Sequence, residues 1–165
     1  MAPIRTPPVS QRDPAGLRAD FERWLSARQA GAAVAGTEIP APSGMSNQTI
    51  LIDAGWGGQA HRLAIRIGAA PVLPRCDIRY QFLTLRRLGS QVVRAAVPRA
   101  LWYEEDPQLL GGPFLVMSRV DGQIPPGSID RRVAPYTFGC WLSDAVPADR
   151  LRMQRATVEQ LARVH

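Results

Sequence analysis

The sequence predicts an α+β fold in which a mostly antiparallel, five-stranded sheet packs against one long helix. Three observations carry the prediction. Short β-branched and apolar runs fall in hairpin-like groups rather than alternating one by one with helices. Two stretches of helical periodicity stand on either side of the first group of strands. Hydrophobic residues make up 45% and charged residues 21% of a 165-residue chain, a balance that allows a packed core.

Residues 1–12 carry three prolines and no periodicity, so they are expected to form a disordered leader. Asp13 and Pro14 supply an N-cap and a first-turn proline for a helix reaching about Gln29. Leu17, Phe21, Trp24 and Leu25 form its apolar stripe, and Gly31 follows its end. Strands are expected over residues 37–40, 49–53 and 62–67, separated by Gly-rich turns at 43–47 and 54–59. Pro74 opens a second helix, with Ile78, Phe82 and Leu85 on one stripe and Gly89 closing it after Leu88. Two more strands follow at 99–104 and 113–119, joined by an acidic, Gly-rich turn at 105–112. The Pro- and Gly-rich residues 121–127 suggest a linker. Residues 136–144 and 147–165 have helical character, the latter with Leu151, Val158, Leu161 and Ala162 available for burial.

Composition narrows the function. No apolar run approaches the roughly 20 residues of a membrane span and the N-terminus lacks an apolar signal core, so a cytoplasmic location without membrane contact is expected. Cys76 and Cys140 are far apart with no Cys or His at metal-ligand spacing, which argues against a zinc site or a disulfide framework. His61 and His165 are the only histidines, leaving little material for a Ser/His or Cys/His catalytic pair. The net charge of +6 comes from 20 basic residues, every one of them Arg. These are scattered rather than clustered with aromatics, so a nucleic-acid partner rests on bulk charge alone and none is expected. Any phosphate grip must be made by arginine.

Four strings carry chemistry. In Ser43-Gly44-Met45-Ser46-Asn47-Gln48-Thr49, small residues let backbone N–H groups approach phosphate, and Ser46, Asn47 and Thr49 add side-chain donors; an ordinary hairpin turn uses the same residue types. Leu63-Ala64-Ile65-Arg66 puts a basic residue two positions past a small one on a strand, where a guanidinium can grip phosphate or can simply face solvent. The second helix reads Gln81-Phe82-Leu83-Thr84-Leu85-Arg86-Arg87-Leu88. The longest string runs from Val97-Pro98-Arg99 through Glu104-Glu105-Asp106-Pro107 and Leu110-Gly111-Gly112-Pro113-Phe114-Leu115-Val116-Met117 to Val120-Asp121-Gly122.

Together with the element order, these strings resemble the N-terminal lobe of protein-kinase-like phosphotransferases of the aminoglycoside phosphotransferase and choline kinase type. They match the family's G-x-S-N-x-T turn, V-A-I-K strand, E-Y-x-x-L-x-x-L helix, and E-D-P, L-G-x-P-F-x-V-M and V-x-G run. The resemblance covers nearly the whole chain from Asp13. It implies a nucleotide-binding lobe over 13–120, a hinge at 121–127, and the start of an incomplete helical lobe over 128–165. It implies ATP with Mg as cofactor and a small-molecule hydroxyl as phosphate acceptor. By position the nucleotide site would comprise Gly44, Ser46, Asn47, Thr49, Ala64, Arg66, Gln81, Met117, Ser118 and Val120. Ala64 would pack on the adenine, Arg66 hold phosphate, and Met117 with Ser118 to Val120 line the base pocket. Gln81 stands where the family has the Glu that pairs with the basic strand residue, and Asp77, one turn earlier, is a candidate substitute.

The family's catalytic loop H-G-D-x-x-x-x-N and its metal-binding Asp would follow a helix ending as Leu161-Ala162-Arg163-Val164-His165 does. No catalytic or metal residue is therefore expected within the 165 residues, and the chain alone is expected to transfer no phosphate. A companion chain, or self-association through an exposed lobe surface, is a possible partner. The competing reading is a non-catalytic remnant or nucleotide-binding module, which Gln81 favours.

Overall fold

A computed structural model describes residues 14–40, 47–68, 77–90, 97–122 and 146–164. The expected leader, the linker beyond residue 122, the helix expected at 136–144, Gly44, Ser46 and His165 lie outside the described residues.

Helix α1 spans Pro14–Ser26 and β1 spans Ala33–Glu38. The hairpin strands β2 and β3 span Asn47–Trp56 and Gln59–Gly68. Helix α2 covers Ile78–Ser90, β4 Ala100–Glu104, the short α3 Pro107–Leu110, β5 Phe114–Ser118, and α4 Pro147–Val164. The strands form one antiparallel sheet in the order β1-β2-β3-β5-β4. This is the α+β architecture with an antiparallel five-stranded sheet expected from the sequence.

Strand alternation gives the sheet two different faces. On one face, Ile50, Ile52, Leu63, Ile65, Ile67, Phe114 and Val116 pack with Leu17, Phe21, Trp24 and Leu25 of α1. The α1 stripe is fully legible in its 3–4-residue spacing, and Leu17, Phe21 and Leu25 are completely buried. Removing each of these side chains from water contributes about 1.5–3 kcal/mol. Helix α1 also protects the open edge of the sheet: the β1 Val34 N–H donates to Glu22 Oε1 at 2.9 Å, and Arg18 donates to the Val34 carbonyl. On the opposite face, Ile78 and Phe82 of α2 pack on Leu115, with Leu85, Ala100, Tyr103 and Met117 around them. Both helices read from the sequence are present, each 13 residues long, and they pack on opposite faces of the sheet instead of one long helix serving it alone.

Several boundaries differ from expectation. The turn read at 54–59 is only Gly57-Gly58, both with positive φ (57° and 74°), in a hairpin whose last pair is Trp56 with Gln59. A two-residue loop with both φ values positive matches the twist of the flanking strands and suits glycine. Ala54 and Gly55, which look like turn residues, belong to β2, and Ala54 is buried in the α1 core. Strand β1 begins at Ala33 rather than Thr37, and α2 runs through Gly89 to Ser90.

The stretch 105–112 is not a plain turn, because it contains α3. Asp106 caps that helix by accepting from Gln108 N, Pro107 stands in its first turn, and Gly111 ends it in the left-handed region at φ 82°. Gly112 then passes so close to β3 that a Cβ there would lie 2.5 Å from the Gly68 carbonyl oxygen. The side chains available for burial along α4, Leu151, Val158, Leu161 and Ala162, are exposed. No helix among the described residues is long and apolar enough to cross a membrane.

Candidate functional site

The face of the sheet shared with α2 collects most of the described residues expected at the site. Pairing of β2 with β3 and of β3 with β5 sets Thr49, Arg66 and Leu115 in one cross-strand row, and Leu51, Ala64 and Met117 in the next. Directly paired residues project to the same face, so Arg66 and Ala64 stand on the side covered by α2. Ala64 is buried, while Thr49, Arg66 and Met117 are half-buried. Asn47 opens β2 opposite Gly68.

Helix α2 brings Gln81 to Arg66, whose Nη1 donates to Gln81 Oε1 at 3.0 Å. The pairing anticipated between these positions is therefore formed, with a neutral amide in place of a carboxylate. Gln81 holds the guanidinium by one hydrogen bond without neutralising it. Arg66 Nε is buried and has no hydrogen-bond partner. Thr37 Oγ1 and His61 Nε2 share that condition among the described residues, but strand alternation puts both on the α1 side. On the α2 face, the unsatisfied buried donor belongs to the one cation expected to grip phosphate. An unmade hydrogen bond at a buried donor costs about 1–3 kcal/mol, which an anionic oxygen would recover.

Asp77 takes a different role from the one considered for it. Its Oδ1 accepts from Arg79 N at 2.9 Å, and its carbonyl accepts from Tyr80 N and Gln81 N. The residue is the N-cap of α2, with its carboxylate turned to the helix's own backbone rather than to Arg66.

The segment leaving β5 is pinned by its main chain. Ser118 N donates to the Arg99 carbonyl at 2.9 Å, Ser118 Oγ accepts from Arg99 N at 2.9 Å, and Arg119 N donates to the Arg62 carbonyl at 2.8 Å. The Ser118 side chain thus holds the start of β4 rather than facing the Ala64 row, while Val120 is exposed. Sequence reasoning did not anticipate the charged side chains beside this segment. Arg119 reaches Glu38 of β1 (Nη2 to Oε2, 3.7 Å) and Asp121 (Nε to Oδ1, 3.8 Å). Arg62 pairs with both Asp53, at 3.7 Å, and Asp121. The Arg119–Glu38 pairing follows only from the register of four strands, and no local motif signals it.

This face thus combines a small buried residue, a methionine beside it, and a cation with an unused buried donor in the adjoining row. Among the described residues no group of three or more His, Cys, Asp or Glu is placed to hold a metal ion.

The phosphotransferase enzyme family (APH) matches residues 37–165 of the chain. Among solved structures, the chain is similar to a proposed aminoglycoside phosphotransferase from Ralstonia eutropha JMP134, at 19% identity and a TM-score of 0.44. That alignment covers 64% of this chain and 28% of the other, so the chain spans under a third of that protein's length.

Proposed function

Because the chain belongs to the phosphotransferase enzyme family, we propose that it is the nucleotide-binding lobe of an ATP-dependent phosphotransferase acting on a small-molecule hydroxyl. The observation that carries this reading is Arg66: it is held by Gln81, keeps a buried Nε without a partner, and stands one row from Ala64 and Met117. In this reading Ala64 and Met117 receive the base, and the backbone from Ser118 to Val120 reads its edge. Arg66 orients the phosphates, Asn47 and Thr49 add donors beside them, and Gly44 and Ser46 complete the phosphate turn. Bound ATP with Mg would supply the phosphoryl group. The residues of this lobe would position the phosphates, and transfer would also need the catalytic and metal-binding groups that the family places after this segment.

Residues 13–120 would then form the lobe, 121–127 its hinge and 128–165 the beginning of a helical lobe, in a cytoplasmic protein. Gln81 favours a second reading, in which the lobe binds nucleotide without supporting catalysis, because an uncharged partner fixes the guanidinium less firmly than a carboxylate does. Acceptor-dependent ATP turnover by this lobe joined to a helical lobe that carries the catalytic loop separates the two.

Calorimetry with Mg-ATP on the purified chain, wild type against Arg66→Ala, tests the proposal. Saturable binding weakened about tenfold to a hundredfold by the substitution is expected, the value of a charge-assisted phosphate contact. Absence of binding by folded protein contradicts it.

A further inference from the structure

The charged side chains beside β5 lie across the same sheet face. Glu38 pairs with Leu51, Leu51 with Ala64, and Ala64 with Met117, so one continuous row runs from the β1 edge to the end of β5. Arg119 follows β5 on the same face, two residues beyond Met117. Strands in a sheet are about 4.8 Å apart, so β1 and β5 are separated by roughly 14 Å. The 3.7 Å contact between Arg119 Nη2 and Glu38 Oε2 closes that span only if both side chains extend toward each other over β2 and β3. Arg119 starts opposite Arg62, in the Arg62–Asp53 row, and Glu38 starts in the Leu51–Ala64 row, so the bridge crosses the sheet diagonally along the edge of the strip carrying Leu51 and Ala64. Arg119 is only 23% exposed, although its partners Glu38 and Asp121 are 62% and 66% exposed.

We propose that the Arg119–Glu38 bridge is a latch over the base-binding strip, which a nucleobase must open to reach Ala64, and that Arg119 thereby sets base affinity. The inference rests on the nucleotide-binding reading of this face. Both ion-pair contacts of Arg119 are long, and their carboxylates are exposed, so the latch is weak and opens readily. Asp121 shares itself between Arg119 and Arg62, so an opened Arg119 keeps one carboxylate within reach. The latch acts on the base rather than on the phosphates, because its contacts lie in and beyond the Ala64 row, on the side away from Arg66.

Adenosine, which carries no phosphate, isolates the effect. Its affinity for the wild-type chain should rise with ionic strength as screening loosens the bridge. Glu38→Gln and Arg119→Gln should each bind adenosine about twofold to fivefold more tightly at low salt and lose that rise, the scale of an exposed ion pair. The two variants remove opposite partners, and circular dichroism confirms that each is folded. If the wild type binds Mg-ATP while both variants bind adenosine equally well or more weakly, the latch is refuted and the nucleotide site stands. If folded wild type binds neither Mg-ATP nor adenosine, the site and the latch fall together.

Discussion

The Glu104 carboxylate joins segments 76 and 80 residues apart: its Oε2 accepts from Arg28 Nη2 at 2.7 Å and from Trp24 Nε1 at 2.9 Å. Its Oε1 accepts from Asp106 N at 3.1 Å, and the Arg28 guanidinium stacks over the Trp24 ring at 4.1 Å. Burial alone would raise the Glu104 pKa. The hydrogen bonds from Trp24 and from the Asp106 and Glu105 backbones, with the nearby Arg28 charge, outweigh burial and hold it below the usual carboxylate value. A carboxyl group with a lowered folded-state pKa stabilises the fold above its unfolded pKa, and that contribution is lost as pH falls through the folded value. Glu104→Gln should therefore cost about 1–2 kcal/mol at neutral pH, and urea titrations should show the cost shrinking in acid, below about pH 4. An equal loss at every pH would show that the charge is immaterial. The acidic string that most strongly carries the family resemblance thus has structural tasks here. Glu104 ties α1 to the sheet, Asp106 caps α3, and Gly111 and Gly112 end that helix against β3.

At the scale of elements, α2 matters because it presents Gln81 to Arg66, and its start is fixed by Asp77. Asp77→Ala removes the cap and should destabilise the protein by about 1 kcal/mol in chemical denaturation. Mg-ATP affinity should change far less than in Arg66→Ala; an equally large loss of affinity would put Asp77 in the site. Which elements the sequence reveals follows from how local their causes are. The α1 stripe and the Arg66 strand are legible because each is written in a periodicity of a few residues. The extension of β2 through Ala54 and Gly55 is not, since small residues suit a turn and only burial under α1 makes them strand. Helix α3 is too short for a periodicity to show, yet Asp106-Pro107 before it and Gly111 after it are start and stop signals readable in the sequence.

At the scale of the whole molecule, the sheet divides the labour. Its α1 face is a continuous apolar core, whereas its α2 face combines a smaller core with Arg66, Gln81 and the Glu38–Arg119 bridge. The Arg66–Gln81 half of the candidate site was legible, because a strand and a helix each carry a recognisable local pattern. The Arg119 half was not, because three successive strand registers bring its partner within reach. The proposed nucleotide site lies on the α2 face. Amide chemical-shift mapping with Mg and a non-hydrolysable ATP analogue tests it most directly. Saturable shifts are expected at Thr49, Ala64, Arg66, Gln81, Met117 and Val120, with Leu17, Phe21 and Leu25 of α1 unmoved. Shifts centred on α1, or no saturable shifts in folded protein, would contradict it.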